Sequence, residues 1–285
     1  MIGIVGLGNM GYPMAVNLLK AGYETKVYSR NMNSVNVKDL VSKGAIPAYS
    51  PRELAEGCNT VILSLPSAEA SVEVVIGRNG LHETLMPGSI IIETSTVPPR
   101  VVVELQKTLS IKGVEILDAP VSGGRARAEK GELTIMVGGK KSVFEKSLPL
   151  LNVLGKKIYY VGDLGNGELI KLLNSFLALV NLFANRAVCS VALRSRVNFT
   201  LLHEIIVNST GNSWIWENWI PLMIQGKLVS STIKIALKDL TYAQELFPTQ
   251  TLEWQIIENI KSCFRKFMTS DHDDISSMFK EFLEQ

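Results

Sequence analysis

Ile2-Gly3-Ile4-Val5-Gly6-Leu7-Gly8-Asn9-Met10-Gly11 decides the fold of this chain. A short apolar run enters a Gly-x-Gly-x-x-Gly turn. The turn opens a helical pattern, Asn9 to Lys20, that Gly22 can close. The glycine spacing alone is a weak signal. Between a strand and a helix it is the dinucleotide-binding fingerprint of a Rossmann unit. In that reading Gly6 permits the tight turn, Gly8 lets backbone approach a pyrophosphate, and Gly11 lets helix and strand pack closely. Leu7, Asn9 and Met10 complete the phosphate-facing loop, where free N–H groups and the positive end of the helix favour an anion.

The pattern repeats outward from this stretch. Further strands are predicted at Thr25–Tyr28, Thr60–Leu65, Ser89–Glu93, Val114–Leu117, Leu133–Val137 and Ile158–Tyr160, all rich in Val and Ile as buried parallel strands are. The helices between them have readable ends. Ser50-Pro51-Arg52-Glu53 sets an N-cap, a first-turn proline and a capping-box Glu in order, and Gly57 can stop that helix. Gly44 can end another. Strand and helix in alternation predict a doubly wound, mostly parallel sheet over residues 1–162.

After Gly165 the periodicity is helical. A long helix is expected from about Asn166 into the 190s, joining the two halves. Further helices are expected near 200–209, 214–224, 234–247, 251–268 and 274–283. Residues 163–285 therefore read as an all-α domain, with the boundary in the Gly162–Gly167 turn. The stretch Leu172–Leu193 is apolar enough to suggest a membrane. It carries Asn174, Asn181, Asn185 and Arg186, which are costly in lipid, so a buried helix is the expectation.

Composition excludes several classes. A length of 285 residues suits two domains, and 46% hydrophobic residues are ample for their cores. A net charge of +2 with no long basic run gives no nucleic-acid footprint. Cys58, Cys189 and Cys263 are scattered and odd in number, which speaks against a disulfide framework and for a reducing cytoplasm. His82, His203 and His272 show no metal-ligand spacing, and no metal is expected. Apolar residues begin at Ile2 without a basic leader, so no signal peptide is read.

The end of the second strand bears on the cofactor. Val27-Tyr28 is followed by Ser29-Arg30-Asn31, where an NAD enzyme usually has an acid to hold the ribose 2′-hydroxyl. An acid would repel the 2′-phosphate of NADP, whereas Arg30 can pair with it through a charge-assisted fork. NADP is therefore expected, with NAD second.

Three further motifs follow the first in order. They are Asp118-Ala119-Pro120-Val121-Ser122-Gly123-Gly124 with Gly131-Glu132-Leu133-Thr134-Ile135-Met136-Val137-Gly138-Gly139, then Gly165-Asn166-Gly167-Glu168-Leu169-Ile170-Lys171, then Lys238-Asp239-Leu240. With this set the chain resembles the β-hydroxyacid dehydrogenases, a family that includes 3-hydroxyisobutyrate dehydrogenases, tartronate semialdehyde reductases and glyoxylate/succinic semialdehyde reductases. The resemblance implies that Ser122, Gly123 and Gly124 receive a substrate carboxylate. A Gly-rich turn with an adjacent hydroxyl suits an anion. It implies that Lys171 is the general acid and base. Such a role requires a pKa brought down from about 10.4 toward neutrality, and a place in the first turns of a helix works in that direction. It also places Leu65-Pro66, Thr96 and Lys238 around the cofactor. Asn174 and Ser175 lie one turn beyond Lys171. Many relatives carry Asn at the second position, so Asn174 is the candidate for the substrate hydrogen bond, with Ser175 as a shorter alternative.

The expected reaction is hydride transfer between NADP(H) and a short-chain 3-hydroxy acid/semialdehyde acid pair. The competing readings are an imine reductase, whose members generally lack this Lys, and a cofactor-binding module without catalysis. A 6-phosphogluconate dehydrogenase would need a much larger helical domain. Arg125 and Arg127 read as solvated loop residues, and the cluster around Gly211-Asn212-Ser213-Trp214 reads as packing or pocket lining. Trp214, Trp216, Trp219 and Phe264 offer more apolar surface than the helical half would hide, so a homodimer or homotetramer is expected.

Overall fold

The computed structural model describes residues 1–229, 231–270 and 273–282. His272 and the last residue of the helix expected over 274–283 lie outside the described residues. By its internal contacts the chain forms two units, Met1–Lys171 and Leu172–Gln285.

The first unit opens β1(Ile2–Val5), α1(Gly11–Lys20), β2(Thr25–Tyr28), α2(Val35–Ser42), β3(Ile46–Pro47), α3(Pro51–Ala55) and β4(Thr60–Leu63). It continues with α4(Ala68–Ile76), β5(Ile90–Glu93), α5(Pro99–Ser110) and β6(Glu115–Asp118). Six strands form one sheet in the order β3-β2-β1-β4-β5-β6, and every pairing is parallel. The order reverses at β1, which makes the crevice beyond its carboxyl end the switch point where ligands bind in such sheets. Ile4, Val27, Ile62, Ile92 and Leu117 are fully buried in the strands, as expected for a sheet covered on both faces. The alternation thus folds as the Rossmann unit that the glycine turn announced.

The sheet is not continuous through all predicted strands. β7(Val121–Ser122), β8(Leu133–Val137) and β9(Gly155–Tyr160) form a second, three-stranded sheet in which β7 is antiparallel to β8. Only Ala119 and Pro120 separate β6 from β7, too short a link for a parallel crossover. A backbone bridge between Asp118 and Gly138 ties the two sheets. β3 and β7 have two residues each and carry no periodicity to read. α6(Gly124–Glu129) and α7(Lys141–Leu154) lie between these strands.

Local signals account for the helix ends. Ser50 Oγ accepts from the Glu53 N–H at 3.1 Å, while the Glu53 carboxylate reaches the Tyr49 N–H at 2.8 Å, one residue further back than a capping box requires. The helix expected from Asn9 starts at Gly11: the Tyr12 N–H bonds the Gly8 carbonyl, but Pro13 has no N–H for Asn9, so the unbroken ladder opens with Met14 N–H to the Met10 carbonyl.

α8(Asn166–Arg194) runs out of the first unit into the second, so its first turns pack with the sheets. The second unit adds α9(Phe199–Val207), α10(Trp214–Asn218), α11(Ile220–Met223), α12(Ile233–Gln244), α13(Leu252–Phe267) and a 3-10 turn at Ile275–Phe282. The single helix expected over 214–224 is two, broken at Trp219 ahead of Pro221, which has no N–H to continue the ladder. Two expectations are corrected here. Trp216 and Phe264 are core residues, so they offer no interface. The apolar stretch of α8 is not a buried helix: only 28% of its most apolar window is buried, although its length and composition would let it cross a membrane. Leu177, Val188 and Val191 are exposed instead, as are Leu201 and Ile205 of α9. Two of the polar residues of α8, Arg186 and Asn185, have protein partners. Arg186 donates to the Met278 carbonyl at 3.1 Å and sits over the Phe267 ring, and Asn185 meets Ser213 Oγ at 3.4 Å.

Candidate active site

Strand register sets the site. Tyr28, Val5, Leu63, Glu93 and Asp118 line up across β2, β1, β4, β5 and β6. The segments that follow them emerge along one edge of the sheet. Those segments hold the Gly6–Gly11 loop, Ser29-Arg30-Asn31, Leu65-Pro66 and Thr96, so the fold brings these predicted residues to one edge.

The three glycines have different reasons to be glycine. A Cβ on Gly6 would lie 2.1 Å from the Ser64 carbonyl oxygen, and one on Gly11 would lie 1.8 Å from the Gly6 carbonyl oxygen. Both are required by packing. A Cβ on Gly8 would meet nothing within 4 Å. No contact within the chain demands a glycine there, which fits a backbone kept bare for a ligand. The N–H groups of Leu7, Gly8, Asn9 and Met10 donate to no protein acceptor among the described residues, and no side chain caps α1. This is the donor set that a pyrophosphate needs. Asn36 on α2 pins the loop by donating to the Leu7 carbonyl at 2.7 Å.

Arg30 is exposed and enters no ion pair among the described residues. Asn31 is turned to its own chain, its Oδ1 accepting from the Asn33 N–H at 3.1 Å. Leu65 is fixed by its N–H to Ser95 Oγ at 2.7 Å, and Ser95 in turn donates its N–H to the buried Glu93 at 2.9 Å. Thr96 is half-buried and follows directly.

Ser122 ends β7 and is half-buried, with Gly123 (φ 135°) and Gly124 (φ 65°) turning the chain into α6. Arg125 and Arg127 are exposed as expected but lie in α6 rather than in a loop, and Arg125 pairs with Glu129 one turn on at 2.8 Å.

Lys171 is half-buried in the second turn of α8. The start of that helix rests on Asp118, at the carboxyl end of β6. Asp118 Oδ1 accepts from the Gly165 N–H at 2.8 Å and Oδ2 from the Glu168 N–H at 2.9 Å. Burial pushes the Asp118 carboxyl above its ordinary range, while these N–H groups pull it back. Glu168 is itself buried, and its Oε2 accepts from the Val97 N–H at 3.1 Å. Asp118, Glu168, Glu93 and Ser95 went unassigned in the sequence reading. The available signal was an acid closing an apolar strand, after Ile90-Ile91-Ile92 and after Ile116-Leu117, since a carboxylate buried there must find donors.

Asn174 and Lys238 belong to the second unit. Asn174 is exposed. Ser175 is buried, and its hydroxyl is committed to Asp239 Oδ2 at 3.0 Å. Lys238 Nζ lies 3.3 Å from Asp239 Oδ1 and 5.4 Å from the centre of the Tyr242 ring.

Comparison with known proteins agrees with this layout. The family model for the NAD-binding domain of 6-phosphogluconate dehydrogenase matches residues 1–162, and that for the NAD-binding domain of NADP-dependent 3-hydroxyisobutyrate dehydrogenase matches residues 165–282. An L-threonate dehydrogenase of Cupriavidus necator is 34% identical over 241 residues, covering 84% of this chain and 80% of its own. An NAD-dependent L-serine dehydrogenase of Pseudomonas aeruginosa is 35% identical over 220 residues, covering 77% and 73%. The crystal structure of a 3-hydroxyisobutyrate dehydrogenase from Salmonella typhimurium superposes with a TM-score of 0.83 at 27% identity, over 98% of this chain and 99% of that one. The protein belongs to the β-hydroxyacid dehydrogenase family of pyridine-nucleotide-dependent oxidoreductases.

Proposed function

We propose that this enzyme transfers a hydride between NADP(H) and a short-chain 3-hydroxy acid/semialdehyde acid pair, with Lys171 as general acid and base. The observation that carries the reading is Lys171 itself, half-buried in the second turn of a helix whose start is fixed at the carboxyl ends of the strands. Bound NADPH supplies the hydride. The chain then has to bind a carboxylate, orient a carbonyl and manage one proton. Ser122, Gly123 and Gly124 take the carboxylate through hydroxyl and backbone N–H groups. Lys171 Nζ gives its proton to the nascent alkoxide oxygen, and in the oxidative direction the neutral amine takes it back from the hydroxyl. Asn174, exposed while Ser175 is held by Asp239, is the side chain left for the substrate hydroxyl or carbonyl. Lys238 is a further cofactor contact. The test is a panel of C2 to C4 semialdehyde acids with NADPH, followed by nicotinamide absorbance. Turnover of none of them would sink the substrate class.

The coenzyme choice rests on Arg30, exposed and without an acid at Ser29 or Asn31. NADPH is expected to bind at least about tenfold more tightly than NADH, a difference of about 1.4 kcal/mol. Fluorescence titration with both coenzymes checks it, and equal affinity or a preference for NADH refutes it.

The enzyme is further proposed to work in the cytoplasm as a homodimer or homotetramer. The apolar side chains left exposed on α8 and α9, with Trp214, support the assembly. Sedimentation at micromolar concentration is expected to give a dimer or tetramer. A stable monomer would count decisively against it.

A further inference from the structure

We infer that Asp118 and Glu168 are positioning residues for the reaction, holding the first turn of α8, and with it Lys171, against the loops that end β5 and β6. The inference rests on the acid–base role proposed for Lys171.

A helix begins with N–H groups that have no partner inside it. At the start of α8 the Asn166 N–H is taken locally by the Asp163 carbonyl at 3.1 Å. The Asn166 side chain donates to the Val161 carbonyl at 3.1 Å instead of accepting from the turn. The carboxylate acceptor for the neighbouring N–H groups comes from Asp118, about fifty residues earlier in the chain. Its two oxygens engage two N–H groups, Gly165 at 2.8 Å and Glu168 at 2.9 Å. Two bonds from one rigid carboxylate fix the direction of the helix as well as its origin, and a charged acceptor makes both bonds stronger. The surrounding backbone is shaped to this group. A Cβ on Gly138 would lie 2.4 Å from Asp118 Oδ1, and one on Gly167 would lie 2.8 Å from Oδ2.

Glu168 supplies the second tie. Its own N–H is held by Asp118, and its carboxylate reaches the Val97 N–H at 3.1 Å, directly after Thr96. The turn is therefore fastened at the ends of both β6 and β5. Lys171 is three residues past Glu168, on the same helical face. A buried carboxylate is a costly way to cap a helix. Here the cost secures the angle at which Lys171 leaves the sheet edge, and a misplacement of about 1 Å can cost about a hundredfold in rate.

The test measures kcat, KM and NADPH affinity for Asp118→Asn, Glu168→Gln and Glu168→Ala, each alone and combined with Lys171→Ala. Asp118→Asn puts an NH2 group against one of the two N–H donors. It is expected to lower kcat about 10–100-fold while KM and the NADPH Kd change less than about threefold. In the Lys171→Ala background that loss should vanish, because the helix then has no proton donor to aim. Glu168→Gln keeps an oxygen for the Val97 N–H and should retain most of kcat, whereas Glu168→Ala should not. An unchanged kcat in Asp118→Asn, or an equal loss with and without Lys171, overturns the inference. If Asp118→Asn does not fold, the Glu168 pair decides: wild-type kcat in Glu168→Ala, or equal losses in Ala and Gln, overturns it. Full activity in Lys171→Ala alone would instead overturn the acid–base assignment, which separates the two failures.

Discussion

Lys171→Ala is expected to lower kcat roughly 10²–10⁴-fold, the usual worth of a positioned acid–base group, with fold and NADPH affinity nearly intact. Lys171 lies past the anchored turn of α8, and the Gly6–Gly11 loop proposed to take the phosphates is built from other elements. The loss should therefore sit in kcat, while the carboxylate site at Ser122 goes on binding substrate. Lys171→Arg is a stricter version. Arginine keeps the positive charge but does not give up its proton, so it should be nearly as slow as alanine. Ser122→Ala should behave differently, raising KM first. The pair separates proton transfer from recognition in steady-state kinetics on the best substrate. A Lys171→Ala enzyme that keeps most of its kcat would show the mechanism to be wrong. It would reopen the imine-reductase and non-catalytic readings.

The parts of this molecule that were legible in its sequence are those where one residue type has one physical reason. Gly6 and Gly11 are legible because backbone approaches there to about 2 Å of where a Cβ would be, and no other residue fits. Five of the six parallel strands are legible because burial on both faces favours runs rich in Val and Ile, while the two residues of β3 carry no such run. The Ser50 cap shows because its bonds are local, although Glu53 reaches back to the Tyr49 N–H and not to that of Ser50. The long-range bonds do not show. Asp118 and Glu168 act on groups 47 to 71 positions away, a pairing that no periodicity records. The second sheet was missed for a similar reason, since two residues of β7 carry no pattern and only Ala119-Pro120 marks the turn away from the first sheet. The aromatic side chains misled. Trp216 and Phe264 read as surplus surface, yet they fill the second unit, whereas the aliphatic face of α8 is what remains uncovered. The match at Lys171 came from the ordered motifs. Its spacing from Ser122 in the chain holds no geometric information.

Gly8→Ala and Gly11→Ala are expected to fail in opposite ways, although the two glycines belong to one motif. In Gly11→Ala the new methyl meets the Gly6 carbonyl oxygen at 1.8 Å and the Ser64 Cβ at 3.1 Å, so α1 has to move off β1. Overpacking against backbone costs about 3 kcal/mol at the upper end of the usual range, and the melting temperature should fall by about 6–12 °C even without coenzyme. In Gly8→Ala the methyl meets nothing within 4 Å, so the apo protein should melt within about 2 °C of the parent, a change below about 1 kcal/mol. The methyl is added to the loop whose Gly8, Asn9 and Met10 N–H groups, without an acceptor among the described residues, are proposed to hold the pyrophosphate. NADPH affinity should therefore fall at least about a hundredfold, or about 2.8 kcal/mol. Thermal melts with and without NADPH, together with fluorescence titration, read both effects at once. The decisive contrast is coenzyme-induced stabilisation, expected to be lost in Gly8→Ala from a stable start and, in Gly11→Ala, to act on a fold already weakened. If Gly8→Ala binds NADPH like the parent, the open face of this loop is not where the phosphates sit, and the coenzyme must lie along the sheet edge in another register.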